Sequence, residues 1–173
     1  RSSVSLDSIP AYSDAAYVEI DGNQPEFTDA DKQQTQSFEE YSELDMHGRC
    51  GVAYANVGQD LMPAEGEKRG SIGQVKPTGW HTVRYDDLIA DKYLYNRCHL
   101  IGYQLAGENA NEKNLITGTR YLNIKGMLDL ENEVADYVKQ TDNHVLYRVT
   151  PWFEGDELVA RGVLMEGYSV EDQ

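Results

Sequence analysis

Long apolar runs are missing from this sequence. None approaches the roughly 20 residues that a membrane-spanning helix needs, so no membrane partner is expected. Cysteine is scarce: Cys50 and Cys98 are the only two in 173 residues, which excludes a disulfide framework. Their spacing matches no metal knuckle or redox pair, and one disulfide or two buried thiols are equally open. Low-complexity linkers and internal repeats are absent too, so residues 1–173 read as a single domain. Residues 1–15 form its loosely ordered lead-in. A chain of this length buries roughly two-thirds of its unfolded surface and needs no staple to be stable. No charged start followed by an apolar stretch precedes the polar Arg1-Ser2-Ser3. The chain is therefore either an intracellular protein or the mature form of a secreted one, and a start on Arg rather than Met favours the second.

Positive charge is also in short supply, with 15 Lys and Arg against 30 Asp and Glu and a net charge of −15. That balance argues against a simple electrostatic binder of nucleic acid. The distribution weakens the objection. Residues 1–50 and 127–173 each hold 11 acidic and 3 basic groups, whereas residues 51–126 hold 8 acidic and 9 basic. The flanks read as solvated acidic surfaces. Only the centre is a plausible seat for a polyanion.

What is present describes an ordinary folded protein: 40% hydrophobic and 26% charged residues, with 12 Tyr and 15 Gly. The tyrosines and valines point to a substantial β component. The expected class is α+β, a central antiparallel sheet with flanking helices. Tyr17-Val18-Glu19-Ile20 alternates as a strand does, with a turn at Asp21-Gly22-Asn23. Residues 28–46 read as a short helix or surface connection, and Cys50 to Val57 as a buried strand. Residues 58–80, rich in Gly, Pro and basic groups, form a loop suited to a binding surface. Tyr93 to Ile101 reads as a strand and Gly107 to Asn114 as a loop. The clearest helix spans 121–140, with Met127, Leu130, Val134, Tyr137 and Val138 on one stripe. Two late strands around 143–150 and 157–168 flank a turn at Glu154-Gly155-Asp156.

Isolated histidines are usually structural, and His47, His81 and His144 are read that way. His99 has a context. On a strand, Arg97 and His99 share one face while Asn96 and Cys98 take the other. A base suited to neutral pH thus lies beside a phosphate-binding guanidinium. Because Cys98 faces away, a Cys–His nucleophilic couple is excluded between them. On the helix, about 100° per residue places Asn123 on the inward stripe, one turn before its apolar part. A buried amide there is either satisfied by backbone or a cap, or serves as an oxygen ligand suited to Mg²⁺. Glu131, about 80° from Asn123 around the helix, either holds a metal-bound water or belongs to the solvated acidic face, and the second reads first.

Taken together, Tyr95-Asn96-Arg97-Cys98-His99-Leu100-Ile101-Gly102 and Asn114-Leu115-Ile116-Thr117-Gly118-Thr119-Arg120-Tyr121-Leu122-Asn123 resemble the DNA/RNA non-specific endonuclease family. These are the ββα-metal nucleases, with an Asp-Arg-Gly-His hallmark and spaced asparagines. Within the family the resemblance is to the secreted streptococcal DNases of the streptodornase or mitogenic-factor type. It is firm over 93–140 and extends to Gly48–Asn56, Trp80 and the Arg161–Tyr168 strand. It implies His99 as general base, Asn123 as the side-chain Mg²⁺ ligand and Arg97 as a phosphate contact. It also implies Asn114 as an orienting asparagine, and Glu131 as the helix glutamate that organises the metal's water. That last role reverses the solvent-side reading of Glu131. Two positions depart from the hallmark: Asn96 replaces Asp and Cys98 replaces Gly. Both lie on the face away from His99, so altered packing with preserved chemistry is expected.

The implied activity is Mg²⁺-dependent hydrolysis of DNA phosphodiesters, with Mn²⁺ able to substitute, leaving 5′-phosphates. RNA is left open as a second substrate, and the sequence does not give the oligomeric state. Nothing resembles a base-reading module, so binding is expected through the phosphate backbone. Arg120, Lys76 and Arg84, with Lys68 and Arg69, are the candidates for backbone contacts. Two other readings stand beside this one. One is an inactive nuclease scaffold serving as a secreted binding or toxin-like protein. The other is a zinc hydrolase using the cysteines and histidines, for which the ligand spacing is poor.

Overall fold

The computed structural model describes residues 25–80, 95–119 and 126–172. The strand expected at Tyr17–Ile20 lies outside the described residues, as do Arg84, Arg120 and Asn123.

Four strands make an antiparallel sheet in the order β1 (Phe38–Tyr41), β2 (Ala53–Val57), β5 (Val145–Trp152), β6 (Gly162–Ser169). Alternation sorts its side chains to two faces. Ala53, Ala55 and Val57 of β2 join Val145, Tyr147 and Val149 of β5 in the main core. Leu146 turns to the other face and packs with Phe27 and Val170, flanked by Phe38, Tyr54 and Tyr168. On that face Arg148 grips Glu166 with two hydrogen bonds of 2.9 and 3.0 Å. Its guanidinium also lies 4.6 Å over the Phe27 ring.

Strands β3 (Tyr95–His99) and β4 (Leu115–Thr119) pair antiparallel as a separate two-stranded unit, with Arg97 opposite Thr117 and His99 opposite Leu115. Between them lie the short helix α2 (Tyr103–Ala106) and a 3₁₀ turn at Glu112–Asn114. Helix α3 (Leu128–Thr141) follows β4 in the chain. Met127, Val134 and Val138 of the expected stripe are buried in the main core, and Leu130 and Tyr137 pack against it. Strand, strand and helix form the ββα unit on an α+β frame. The remaining short helix is α1 (Asp29–Lys32), closed by a Thr28 capping box. Among the described residues no helix is long and apolar enough to cross a membrane.

Two strands differ from expectation. Phe38–Tyr41 is a strand rather than a helix or connection, and Leu115–Thr119 is a strand where only a passage from loop to helix was expected. Cys50 and Cys98 are buried free thiols. Burial raises them to about 11 and about 12, so neither is a thiolate nucleophile at neutral pH.

Candidate active site

His99 ends β3 and is 5% exposed. Its position follows from a bracket two residues on. Asn114 is fully buried; its Oδ1 accepts the Ile101 N–H and its Nδ2 donates to the Ile101 carbonyl, each at 2.9 Å. The Asn114 carbonyl accepts Leu100 N–H at 2.9 Å. Hydrogen bonding to Asn114 therefore continues past the strand end and fixes the backbone after His99, where the chain bends at Leu100 and Ile101. The Asn114 side chain is thus spent on the main chain two residues beyond His99.

The two ring nitrogens of His99 have unlike neighbours. Nε2 lies 2.8 Å from the Asn109 carbonyl and Nδ1 lies 3.3 Å from Arg69 Nη2. A carbonyl only accepts and a guanidinium only donates. The pair is satisfied by the neutral ring with its proton on Nε2 and a lone pair on Nδ1. Burial lowers the His99 pKa and the Arg69 charge lowers it further, against opposing contributions from the Asn109 carbonyl and from Glu108. The ring is thus biased toward the form that can take a proton.

Helix α3 brings Glu131 to the same neighbourhood. Its carboxylate is 8% exposed, and burial raises its pKa to about 7; Arg69 and the Gly102 N–H oppose the rise. Arg69 therefore acts on both Glu131 and His99. The room for the carboxylate comes from Gly102, where a Cβ would stand 2.6 Å from Glu131 Oε2. The buried Tyr103 hydroxyl, beside Arg69 and Glu67, has no hydrogen-bond partner. A carboxylate buried without an ion pair among the described residues is a hard oxygen donor of the kind a divalent cation takes.

In the protein without substrate the Arg97 guanidinium is held by a neighbouring loop. It stacks 3.9 Å from the Trp80 ring centroid. Its Nε donates to the Val75 carbonyl at 2.5 Å and its Nη2 to the Gly73 carbonyl at 3.1 Å. It shares the strand face of His99 as expected, but a loop has folded onto that face and occupies it. Lys76 is exposed on the same loop, beside a cleft lined by Cys50, Val75 and Ile116. Cys98 is buried in the main core and contributes nothing polar to the site beyond its contact with the Asn96 carbonyl at 3.8 Å. His47 and His144 pair with Asp156 and Glu171 at 3.1 and 2.9 Å, the structural roles expected of them. His81 lies outside the described residues.

Three features escaped the sequence. Arg69 stood among five basic candidates with nothing to separate it from the others. Asn109 sits in a Gly/Asn-rich loop and acts partly through its carbonyl, which no residue type reveals. Gly102 matters through the side chain it lacks.

The profile of the family described as DNA/RNA non-specific endonuclease matches residues 29–171. The chain belongs to that family. A deoxyribonuclease of Streptococcus dysgalactiae subsp. equisimilis is 34% identical over 84 residues, 46% of this chain and 25% of that protein. The match thus spans about a quarter of the relative's length. Among solved structures, NucA from Streptococcus agalactiae without metal aligns over 96% of this chain and 79% of its own, with 23% identity and a TM-score of 0.77. The same protein with magnesium bound aligns over 88% and 73%, with 25% identity and a TM-score of 0.74. Sda1 nuclease with zinc bound aligns over 78% and 70%, with 29% identity and a TM-score of 0.64. The fold is that of these ββα-metal nucleases.

Proposed function

We propose that the protein is a secreted, divalent-metal-dependent endonuclease that hydrolyses DNA without sequence preference and leaves 5′-phosphates. The observation that carries this reading is the His99 ring, with its Nε2–H on the Asn109 carbonyl and its Nδ1 lone pair facing Arg69. Secretion rests on the resemblance to secreted streptococcal DNases, and Mg²⁺ as the metal on that resemblance and the magnesium-bound relative.

His99 Nδ1 takes a proton from a water as that water's oxygen attacks phosphorus. The bond from phosphorus to the 3′ oxygen breaks, the phosphate stays on the 5′ side, and the 3′ oxygen is protonated from solvent. Arg69 is exposed, so its guanidinium can pass from Nδ1 to a phosphate oxygen as substrate arrives. It then offsets the charge that builds up in the pentacovalent state. Asn123, by its amide oxygen, would hold the cation, with Glu131 organising the water around it. What a bound cation supplies is charge against the scissile phosphate and the departing oxygen. Arg97 is assigned to a phosphate contact, with its guanidinium also bonded to the carbonyls of Gly73 and Val75 in the neighbouring loop. Lys76, Arg84 and Arg120 are assigned to backbone contacts, which carry no sequence information.

The test is digestion of supercoiled plasmid with Mg²⁺ and with EDTA, by the parent and by folded His99→Ala. The reading predicts cleavage that needs both the cation and His99. Parental cleavage by the variant would remove His99 as base, and an inert parent would leave a nuclease scaffold without the activity.

A further inference from the structure

Asn109, half-buried in the turn after α2, is bonded in two directions at once. Its main-chain carbonyl accepts His99 Nε2–H at 2.8 Å. Its side-chain Oδ1 accepts the backbone N–H of Gly70, also at 2.8 Å. Gly70 follows Arg69, whose Nη2 stands 3.3 Å from the opposite edge of the same imidazole. One residue therefore holds one edge of the ring by its backbone and, by its side chain, the segment that faces the other edge.

We infer that Asn109 is a positioning residue of the nuclease site: its carbonyl sets the His99 tautomer, and its side chain seats Arg69 opposite Nδ1. The seat is needed because residues 64–70 are all exposed. The Nδ1 contact is the only hydrogen bond of the Arg69 guanidinium among the described residues. A long side chain on such a segment disperses into solvent unless the backbone beneath it is fixed, and ordering it on substrate binding would spend binding free energy. The inference rests on the nuclease reading for its consequence, but the seating itself is a property of the free protein.

The charged groups that face His99 are Arg69, which favours the neutral ring, and Glu108, which favours the charged one. Releasing Arg69 removes one of the two influences that lower the His99 pKa, burial being the other, so His99 must titrate at higher pH. Asn109→Ala keeps the carbonyl and removes the acceptor for Gly70, which separates the two functions. In ¹⁵N-resolved NMR, His99 of this variant should keep its proton on Nε2 yet titrate above the parent. In plasmid cleavage, kcat/KM should fall about tenfold, a fraction of what removing a transition-state donor costs, and the acidic limb of its pH profile should move up. In an Arg69→Ala background the same change should have no further effect, since the seat is then empty. Asn109→Asp retains an acceptor for Gly70 and should recover part of the loss. A folded Asn109→Ala with parental His99 titration, or losses that simply add to those of Arg69→Ala, would overturn the inference. An inactive parent would instead contradict the nuclease reading, with the NMR titration still deciding the seating.

Discussion

Two buried glutamates, one on each side of the molecule, have nearly the same exposure, 7% for Glu166 and 8% for Glu131. Their surroundings could hardly differ more. Glu166 takes two hydrogen bonds from Arg148 and one of 3.0 Å from the Glu26 N–H. Arg148 closes the set by donating to the Glu26 carbonyl at 2.7 Å. Glu131 has the Gly102 N–H and the nearby charge of Arg69, no ion pair among the described residues, and a pKa pushed up to about 7. A carboxylate answered within the fold ties residues 26–27 to the sheet. One left unanswered is held ready for something that arrives later, which is how functional sites depart from the rule of satisfied burial.

The contrast breaks most sharply on Arg148. Arg148→Ala strands the Glu166 charge and should cost about 3–5 kcal/mol in chemical denaturation, while each folded molecule still cleaves DNA at the parental rate. Glu131→Gln should do the reverse: cleavage falls by about 10²–10³-fold, with stability at neutral pH equal to the parent or higher. Linkage sharpens this. Because the folded pKa of Glu131 is raised from 4.5 to about 7, the folded state binds more protons than the unfolded state between those values. Stability in EDTA should therefore fall as pH rises through that window, by roughly 3 kcal/mol at most. Adding Mg²⁺ should restore stability at pH 7 more than at pH 5, and Glu131→Gln should flatten the slope; thermal melts across pH read both. Gly102→Ala, which drives a methyl against the Glu131 carboxylate, should cost about 1–3 kcal/mol and lower kcat more than it raises KM. The smallest effect is expected at exposed Lys76. Lys76→Ala should reduce the salt dependence of DNA binding by about one unit of slope, measured as log Kd against log salt concentration.

How much of this was legible beforehand depended on distance along the chain. Periodicity located β2, β3, β5, β6 and the buried stripe of α3, because each of those signals is local. It missed β1, where Glu39 and Glu40 interrupt the alternation and the strand is largely half-buried. It also missed β4, which begins directly at the end of the 3₁₀ turn. Helical angle put Glu131 toward solvent because an angle cannot register that the facing residue is glycine; the family resemblance corrected that placement. Strand parity gave the shared face of Arg97 and His99 but could not show that Trp80 and the 73–75 carbonyls fold onto it. Arg69 and Asn109 are brought to His99 by loops 30 and 10 residues away. Such closures leave no periodic trace.

The central claim is that His99 acts as the base through Nδ1, and imidazole rescue of His99→Gly tests it most directly. The variant should lose about 10²–10⁴-fold in kcat, the range for a general base. Added imidazole should restore part of that rate in proportion to its neutral fraction as pH is varied. A folded His99→Gly that cleaves plasmid DNA at the parental rate without imidazole would contradict it.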